Sequence, residues 1–267
     1  MPLLVLTPRF TQDTNSLWRT AVGMSPGWDV YRLRTWRVPQ EVKETWHAQT
    51  GLAIYGEPLF CAGVAEQFGR ALLEPPFDWL TRVPGDFLKR SVQLLSLREA
   101  RVLPGRSFIK PADDKCFTAK VYGSALDFQD QVRLLPNSTP VLLSEPVVFE
   151  SEFRNFVMAR TVRTSSCYSR LDDGKSVQWI SKEAEMKSMQ RFMMDLLRFP
   201  EVECDWPVVI DVGWIRGRGW AVVEANPMFG CGVYDCDPKV VLDLLQYTSV
   251  PLGESAEYKR WVPDRLG

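Results

Sequence analysis

Hydrophobic and polar residues alternate along this chain with two different periods. In residues 1–80, short apolar runs are separated by segments with a single apolar face, which predicts strands alternating with helices. The segment 58–73 repeats apolar residues at helical spacing, and Pro75 and Pro76 then break the pattern. We therefore expect a small α/β unit at the start of the chain. Its predicted strands are 3–6, 29–34 and 53–55, and its predicted helices are 11–22 and 58–73.

Beyond residue 80 the same analysis predicts longer strands mixed with helices. The segment 86–97 has the spacing of a helix, and 153–162 reads as one long strand. Two apolar strands at 208–215 and 219–225 flank a glycine-containing turn, which is typical of a β-hairpin. The mixture predicts an α+β (α/β) fold. The remaining predicted strands are 107–110, 117–122 and 141–148, and the remaining predicted helices are 127–134, 181–197 and 238–247.

Length and charge narrow the class of protein further. The chain has 267 residues, of which 45% are hydrophobic, so it can bury a sizeable core in one or two domains. The formal net charge of −1 gives no broad attraction for nucleic acid or an anionic membrane. We found no apolar run long enough to cross a bilayer and no basic, signal-like start. We therefore expect a cytoplasmic protein with neither a membrane nor a nucleic acid as partner.

The predicted hairpin carries the strongest candidate chemistry. Asp211 lies inside one apolar strand, Glu224 closes the next, and Asn226 follows two residues later on the face that Glu224 shares. If the two strands pair, three oxygen-bearing side chains converge at one end, and such oxygens suit Mg²⁺. Isolated buried carboxylates are costly, so a metal accounts for both together. The alternative is that Asp211 caps a turn and the segment 224–227 is a polar strand end.

Two further segments carry charges where a nucleotide site needs them. Lys110 stands at the end of the apolar strand 107–110, from which its ammonium can reach a phosphate or simply extend into solvent. The segment 144–154, with the sequence SEPVVFESEFR, combines an interrupted strand with three acidic residues and Arg154.

Taken in order, FIKP, SEPVVFESEFR and VIDVGW…WAVVEANP resemble the phosphate-binding, hinge and metal-binding motifs of the ATP-grasp superfamily. The resemblance covers about residues 85–245. It implies an ATP-grasp fold at 81–250, in two subdomains of about 81–143 and 144–250. It also implies a small N-terminal pre-ATP-grasp α/β domain at 1–80, with 251–267 as a C-terminal tail.

For the nucleotide, the resemblance implies four contacts. Lys110 would contact the phosphates of ATP, and Glu145 would accept a hydrogen bond from the adenine amino group. Val147 would supply main-chain hydrogen bonds at the hinge, and Glu152 would bind the ribose hydroxyls.

For the metal and the reaction, it implies that Asp211, Glu224 and Asn226 hold Mg²⁺ between phosphate oxygens. Arg154 would be the catalytic cation, since a guanidinium fits the oxygens of an acyl phosphate. Arg160 would share its face in an ideal strand, although a solvated charge is the favoured interpretation there.

Two positions depart from the family's pattern. The loop 112–120 has no glycine, although many members use glycines there to bring the main chain close to phosphate. Val209 stands where some relatives carry an arginine, which leaves Arg154 as the nearest substitute.

The function implied by the resemblance is an ATP- and Mg²⁺-dependent ligase. It would join a small-molecule or peptide carboxylate to an amine acceptor through an acyl phosphate. Two alternatives stay open: a nucleotide-binding regulatory module without ligase activity, and another phosphoryl transferase on the same fold.

Overall fold

A computed structural model describes residues 1–47, 50–102, 105–113, 115–178 and 180–263. The described strands form one parallel sheet, two antiparallel sheets and a two-stranded ribbon. The mixed helix and strand architecture confirms the predicted fold class.

The N-terminal unit is built on a parallel sheet with the strand order β2-β1-β3. All four residues of β1 are buried, as expected for a central parallel strand covered by helices on its faces. The predicted helix 58–73 is too long. Gly69 adopts a left-handed conformation with φ of 67° and ends the helical region. The elements are β1 (Leu3–Leu6), α1 (Gln12–Gly23), β2 (Asp29–Arg32), α2 (Gln40–Thr45), β3 (Leu52–Tyr55) and α3 (Pro58–Gln67).

The next unit is an antiparallel sheet with the strand order β5-β8-β6-β7. The predicted helix 86–97 is wrong. A short helix there stops at Lys89, whose φ is 52°, and the chain then pairs Val92 with Ser144 in a strand. Tertiary pairing therefore overrides the helical periodicity. The elements are β4 (Arg70–Leu72), α4 (Trp79–Arg82), α5 (Gly85–Leu88), β5 (Val92–Ser96), α6 (Leu97–Ala100), β6 (Ser107–Pro111), β7 (Lys120–Tyr122), α7 (Ala125–Gln131) and β8 (Pro140–Ser144).

The third unit is an antiparallel sheet with the strand order β11-β10-β9-β12-β13. The predicted single strand 153–162 is two strands, because Ala159 and Arg160 both adopt positive φ and reverse the chain. The elements are β9 (Phe149–Met158), β10 (Thr161–Asp172), β11 (Lys175–Ser176), α8 (Glu183–Leu196), β12 (Val208–Ile215), β13 (Gly219–Asn226), α9 (Pro238–Leu245) and β14 (Ser249–Pro251). A 3₁₀ helix, Met228–Gly230, precedes α9, and another, Leu252–Tyr258, follows β14.

The N-terminal unit is joined to the third unit by packing and by hydrogen bonds. Phe156, Val209 and Phe229 belong to the same buried cluster as the parallel strands. The Tyr55 hydroxyl donates to the Cys231 carbonyl at 2.7 Å. The segment after β14 also packs inward, since Trp261 is only 4% exposed. We retain the domain limits at about residues 80 and 250 as a proposal.

Within the described ranges, none of the helices has the length and apolar character needed to cross a bilayer.

The turn between β9 and β10 is held by one arginine. Arg160 donates to the carbonyls of Leu197, Phe199 and Val202, which end helix α8 and the loop after it. We expect Arg160→Met to lower the free energy of unfolding by about 2 kcal/mol, because three carbonyl groups lose a charged donor. Urea unfolding measures this change. Arg163→Met, at an exposed position of β10, is the matched control and should change stability by less than about 0.5 kcal/mol. Equal losses in the two variants would contradict this role of Arg160.

Candidate active site

Three neighbouring strands bring the acidic residues of the hairpin together. Asp211 on β12 lies opposite Arg154 on β9 and opposite Glu224 on β13. Directly opposed residues share a face of an antiparallel sheet, and Asn226 shares it by its spacing from Glu224. The structure therefore gathers all four side chains on one face.

A β-bulge is responsible for this arrangement. Val212 pairs with Val222, so the register shifts by one residue between Val212 and Asp211. Without the shift Asp211 would lie opposite Val223, and Glu224 would point to the other face. The bulge thus aims the second carboxylate at the first.

Asp211 and Arg154 form a buried, two-pronged ion pair. Arg154 Nε donates to Asp211 Oδ1 at 3.0 Å, and Arg154 Nη2 donates to Asp211 Oδ2 at 2.7 Å. The side chains are 0% and 8% exposed, respectively. Complete burial raises the pKa of Asp211 to about 6, although the hydrogen bonds from Arg154 oppose this increase. Arg154 Nη1 also donates to the Gly232 carbonyl at 2.9 Å, which ties the loop after the hairpin to this pair.

Glu224 is matched to Lys110 from the facing sheet. Lys110 Nζ lies 2.6 Å from Glu224 Oε2. Burial opposes ionisation of Glu224, but the Lys110 ammonium and the Asn226 amide outweigh it, and the pKa of Glu224 is lowered. Asn226 Nδ2 donates both to Asp211 Oδ2 at 3.1 Å and to Glu224 Oε1 at 3.0 Å. The amide therefore bridges the two carboxylates.

The donor chemistry of this cluster fits Mg²⁺. Two carboxylates and one amide supply hard oxygen donors, and Mg²⁺ takes its other ligands from water and phosphate. The described parts of the chain contain no group of three or more His, Cys, Asp and Glu side chains arranged to hold a metal. A metal at this point would therefore depend on the Asn226 oxygen and on a bound phosphate.

Glu152 lies on β9 beside this cluster and is held by an aromatic side chain. Tyr168 donates from its hydroxyl to Glu152 Oε2 at 2.7 Å. Burial raises the pKa of Glu152, and the hydrogen bond from Tyr168 opposes the change. Tyr168 stacks on Tyr234, and the guanidinium of Arg154 lies about 5 Å from each ring, at 5.1 and 5.0 Å. The tyrosines thus support both Glu152 and Arg154.

The predicted hinge is the segment 145–148 between β8 and β9, which has no regular secondary structure. The Glu145 carboxylate accepts from Arg218 at 2.6 and 2.9 Å, and these hydrogen bonds lower the pKa of Glu145. Arg218 lies on the hairpin turn and also donates to the Lys89 carbonyl at 2.8 Å. Val147 is half-buried in the same segment. The hinge is therefore fixed to the metal-site hairpin through the side chain of Glu145.

The loop that follows Lys110 lies on the other side of the cluster. Lys115 and Lys120 are exposed there, and Lys120 Nζ lies 4.9 Å from the ring centroid of Tyr122. Asp114, which we noted as an unfavourable charge near phosphate, lies outside the described residues. The lysines of this loop face solvent at the open edge of the site.

Sequence analysis missed Arg90. Its guanidinium donates to the carbonyls of Leu88, Val222 and Val223 and lies 5.2 Å from the ring centroid of Phe149. Burial lowers the pKa of Arg90 to about 10, and the nearby carboxylates, Glu224 foremost, oppose this change. Arg90 links the two antiparallel sheets. The wrongly predicted helix 86–97 hid it, because it placed this residue mid-helix instead of before a strand.

Two other arginines that we considered lie away from the cluster. Arg160 stands in the turn between β9 and β10, so it does not share the strand face of Arg154, and the prediction of a shared face is wrong. Arg170 pairs with Glu185 of α8 at 2.5 Å. Both have structural partners.

Comparison with known proteins agrees with this geometry. The model of a family described as an ATP-grasp domain, the second family of its clade, matches residues 87–244. The chain belongs to this ATP-grasp family. Its sequence has no significant match among curated proteins.

Solved structures share the fold over nearly the whole chain. D-alanine–D-alanine ligase from Bacillus anthracis is 12% identical, with a TM-score of 0.55 and coverage of 97% of this chain and 99% of that one. A RimK domain ATP-grasp protein from Sphaerobacter thermophilus is 10% identical, with a TM-score of 0.54 and coverages of 93% and 99%. L-amino acid ligase from Bacillus licheniformis is 11% identical, with a TM-score of 0.52 and coverages of 98% and 77%. The protein thus has the fold of ATP-grasp ligases.

Removing Arg154 should expose the cost of the buried charge. We expect Arg154→Met to lower the free energy of unfolding by about 3–5 kcal/mol, because Asp211 keeps a buried and unpaired carboxylate. Adding Asp211→Asn should recover a large part of that loss. Denaturant unfolding of the single and double variants measures both effects.

Arg216→Met is the control for Arg154→Met, since Arg216 forms an exposed pair with Glu150. It should cost less than about 1 kcal/mol. If Arg154→Met costs no more than this control, the buried pair does not have the importance assigned to it.

Proposed function

We propose that the protein is an ATP- and Mg²⁺-dependent ligase that joins a carboxylate to an amine through an acyl phosphate. One observation carries this proposal: the Lys110 strand of one sheet meets the Asp211–Glu224–Asn226 cluster of the other, with Lys110 Nζ 2.6 Å from Glu224. Facing sheets that offer a cation and paired carboxylates suit a metal-bound polyphosphate.

The nucleotide would lie between the two antiparallel sheets. Lys110 would contact its phosphates, and Glu152 would accept from the ribose hydroxyls. Because Arg218 occupies the Glu145 carboxylate, acceptance from the adenine amino group falls to the main-chain carbonyl of Glu145. The main chain of Val147 would complete the hinge contact.

The residues of the metal site would divide the remaining work. Bound Mg²⁺ would neutralise phosphate charge and hold the phosphates in line for transfer. Asp211, Glu224 and Asn226 would hold the ion, and Arg154 would keep the Asp211 carboxylate ionised and correctly oriented. The unused N–H groups of Arg154 remain its candidate contribution to catalysis.

The reaction would take two steps. A carboxylate oxygen of the substrate attacks the γ-phosphorus of ATP, the bond to the bridging oxygen breaks, and ADP leaves. The amine nitrogen then attacks the acyl carbon, the carbon–oxygen bond to phosphate breaks, and inorganic phosphate leaves while the amine loses a proton to solvent. Lys110 and Arg154 supply positive charge, and neither step requires a covalent bond to the protein.

The names of the structural neighbours support this reaction type. Two of the compared proteins are a D-alanine–D-alanine ligase and an L-amino acid ligase. Both names describe the joining of amino acids, which favours amide formation over another phosphoryl transfer.

Loss of the Glu224 carboxylate should abolish turnover. We expect Glu224→Gln to reduce ADP release from Mg·ATP by about 100-fold or more, because the metal loses a charged ligand at the phosphate end. ADP release is measured over a panel of L-amino acids and short peptides supplied in pairs. Glu150→Gln, the same chemical change at a residue paired with Arg216, should stay close to wild type.

The same assay separates the alternatives. ATP binding without ADP release across the whole panel would contradict the ligase and favour a nucleotide-binding module. Accumulation of a stable phosphorylated product without amide would indicate another phosphoryl transferase.

A second prediction concerns the ribose. Wild type should bind Mg·ATP about tenfold or more tightly than Mg·2′-deoxy-ATP, because a carboxylate acceptor contributes about 1.5–3 kcal/mol per hydrogen bond. Glu152→Gln should lose most of this preference while it keeps affinity for the deoxynucleotide. Calorimetric titration measures the four affinities. An unchanged preference in the variant would remove Glu152 from the ribose site.

A further inference from the structure

A large cavity opens on the side of the metal cluster away from the hinge. Its volume is about 830 Å³, within the range that small-molecule ligands occupy. Lys110, Glu224 and Asn226 form one end of it. The other end is formed by residues 57–59 at the carboxyl end of β3 and by residues 74–77, which follow β4.

This cavity differs from the proposed nucleotide site. Glu145, Val147 and Glu152, the residues assigned to adenine and ribose, do not contribute to its wall. It shares with the nucleotide site only the phosphate end, at Lys110 and Glu224. A molecule in the cavity would therefore approach the γ-phosphate from the side opposite the nucleoside.

The wall of the cavity is largely apolar. Leu59 and Phe77 are 75% and 49% exposed, although large apolar side chains are usually buried. Exposed apolar side chains around a concave site are typical of ligand binding. The apolar lining includes Pro58, Leu59, Pro75, Pro76, Phe77 and Trp79.

Charge is distributed unequally between the two ends. Lys110 and Lys115 lie at the phosphate end, and Glu57 and Glu74 lie at the far end. Glu57 accepts from the Thr7 hydroxyl at 2.7 Å and lies 3.2 Å from Arg9. The far end therefore offers a fixed carboxylate, which repels a second carboxylate on a ligand and tolerates an ammonium or a neutral group.

We propose that this cavity binds the amine substrate and selects an amine that carries an apolar or aromatic group. The apolar group would pack against Leu59 and Phe77, and the carboxylate to be activated would lie near Lys110 and Lys115. The role of the bound amine in catalysis rests on the proposed ligase function, whereas the selectivity of the cavity can be measured without turnover.

The test is calorimetric titration of the full chain in the presence of Mg²⁺ and a non-hydrolysable ATP analogue. The probes are L-phenylalaninamide, glycinamide and L-aspartate. We expect L-phenylalaninamide to bind about tenfold or more tightly than glycinamide, and L-aspartate not to bind, because only the first probe fills the apolar wall.

Two variants place a charge in that wall. Leu59→Asp and Phe77→Asp should each weaken L-phenylalaninamide binding about tenfold while the affinity for the nucleotide analogue stays unchanged. Leu134→Asp is the matched control, since Leu134 is 90% exposed and lies outside the cavity. It should bind like wild type.

Equal binding of the three probes, absence of L-phenylalaninamide binding at millimolar concentration, or equal losses in Leu134→Asp and the wall variants would each overturn the proposal. ADP release with the same probes as amines is measured separately. Selective binding without ADP release would refute the ligase and leave the assignment of the cavity's ligand class intact. ADP release with L-aspartate and L-phenylalaninamide alike would support the ligase and refute the selectivity.

Discussion

Asp211 carries its carboxylate wholly out of contact with water, and the design of the site follows from the need to give that group partners. Arg154 supplies two hydrogen bonds from the adjacent strand, and Asn226 supplies a third. The same arginine holds the Gly232 carbonyl and lies against two stacked tyrosines. The position of one buried charge thereby determines the placement of the loop that follows the hairpin.

Contacts across the cleft follow the same logic. Lys110 reaches from one sheet to Glu224 on the other, and Arg90 reaches across to the carbonyls of β13. Arg218 on the hairpin turn holds the hinge through Glu145. These three cations hold the two sheets in register with each other. A site divided between two sheets needs such links, because small relative displacements of reacting groups are costly for catalysis.

Much of the fold could be predicted from the sequence, because long apolar strands and turn residues act locally. The hairpin and the buried strand β1 belong to this class. The helix predicted at 86–97 was wrong because strand pairing of Val92 with Ser144 decided the structure there, and periodicity alone does not report such long-range partners. The break of the predicted strand at Ala159 and Arg160 depends on positive φ at two residues that are not glycine.

The candidate site was predictable only in part for the same reason. The types of residue around Asp211 and Glu224 stand out in the sequence, so their chemistry could be recognised. The pairing of Arg154 with Asp211 is a cross-strand relation that no spacing along the chain reveals. Arg90 and Tyr168 contribute through contacts with distant strands, and neither occurs in a motif that would distinguish it from an ordinary surface residue.

The bulge beside Asp211 couples the chemistry of the hairpin to its length. Glu224 faces Asp211 only because β13 has one residue more than a regular ladder would accommodate at this point. Substitutions on the outer face of the hairpin leave that count unchanged, whereas a single inserted residue between Val212 and Asn226 reverses which side chains point inward. During evolution this hairpin can therefore change its composition readily, but it is strongly constrained against insertions and deletions.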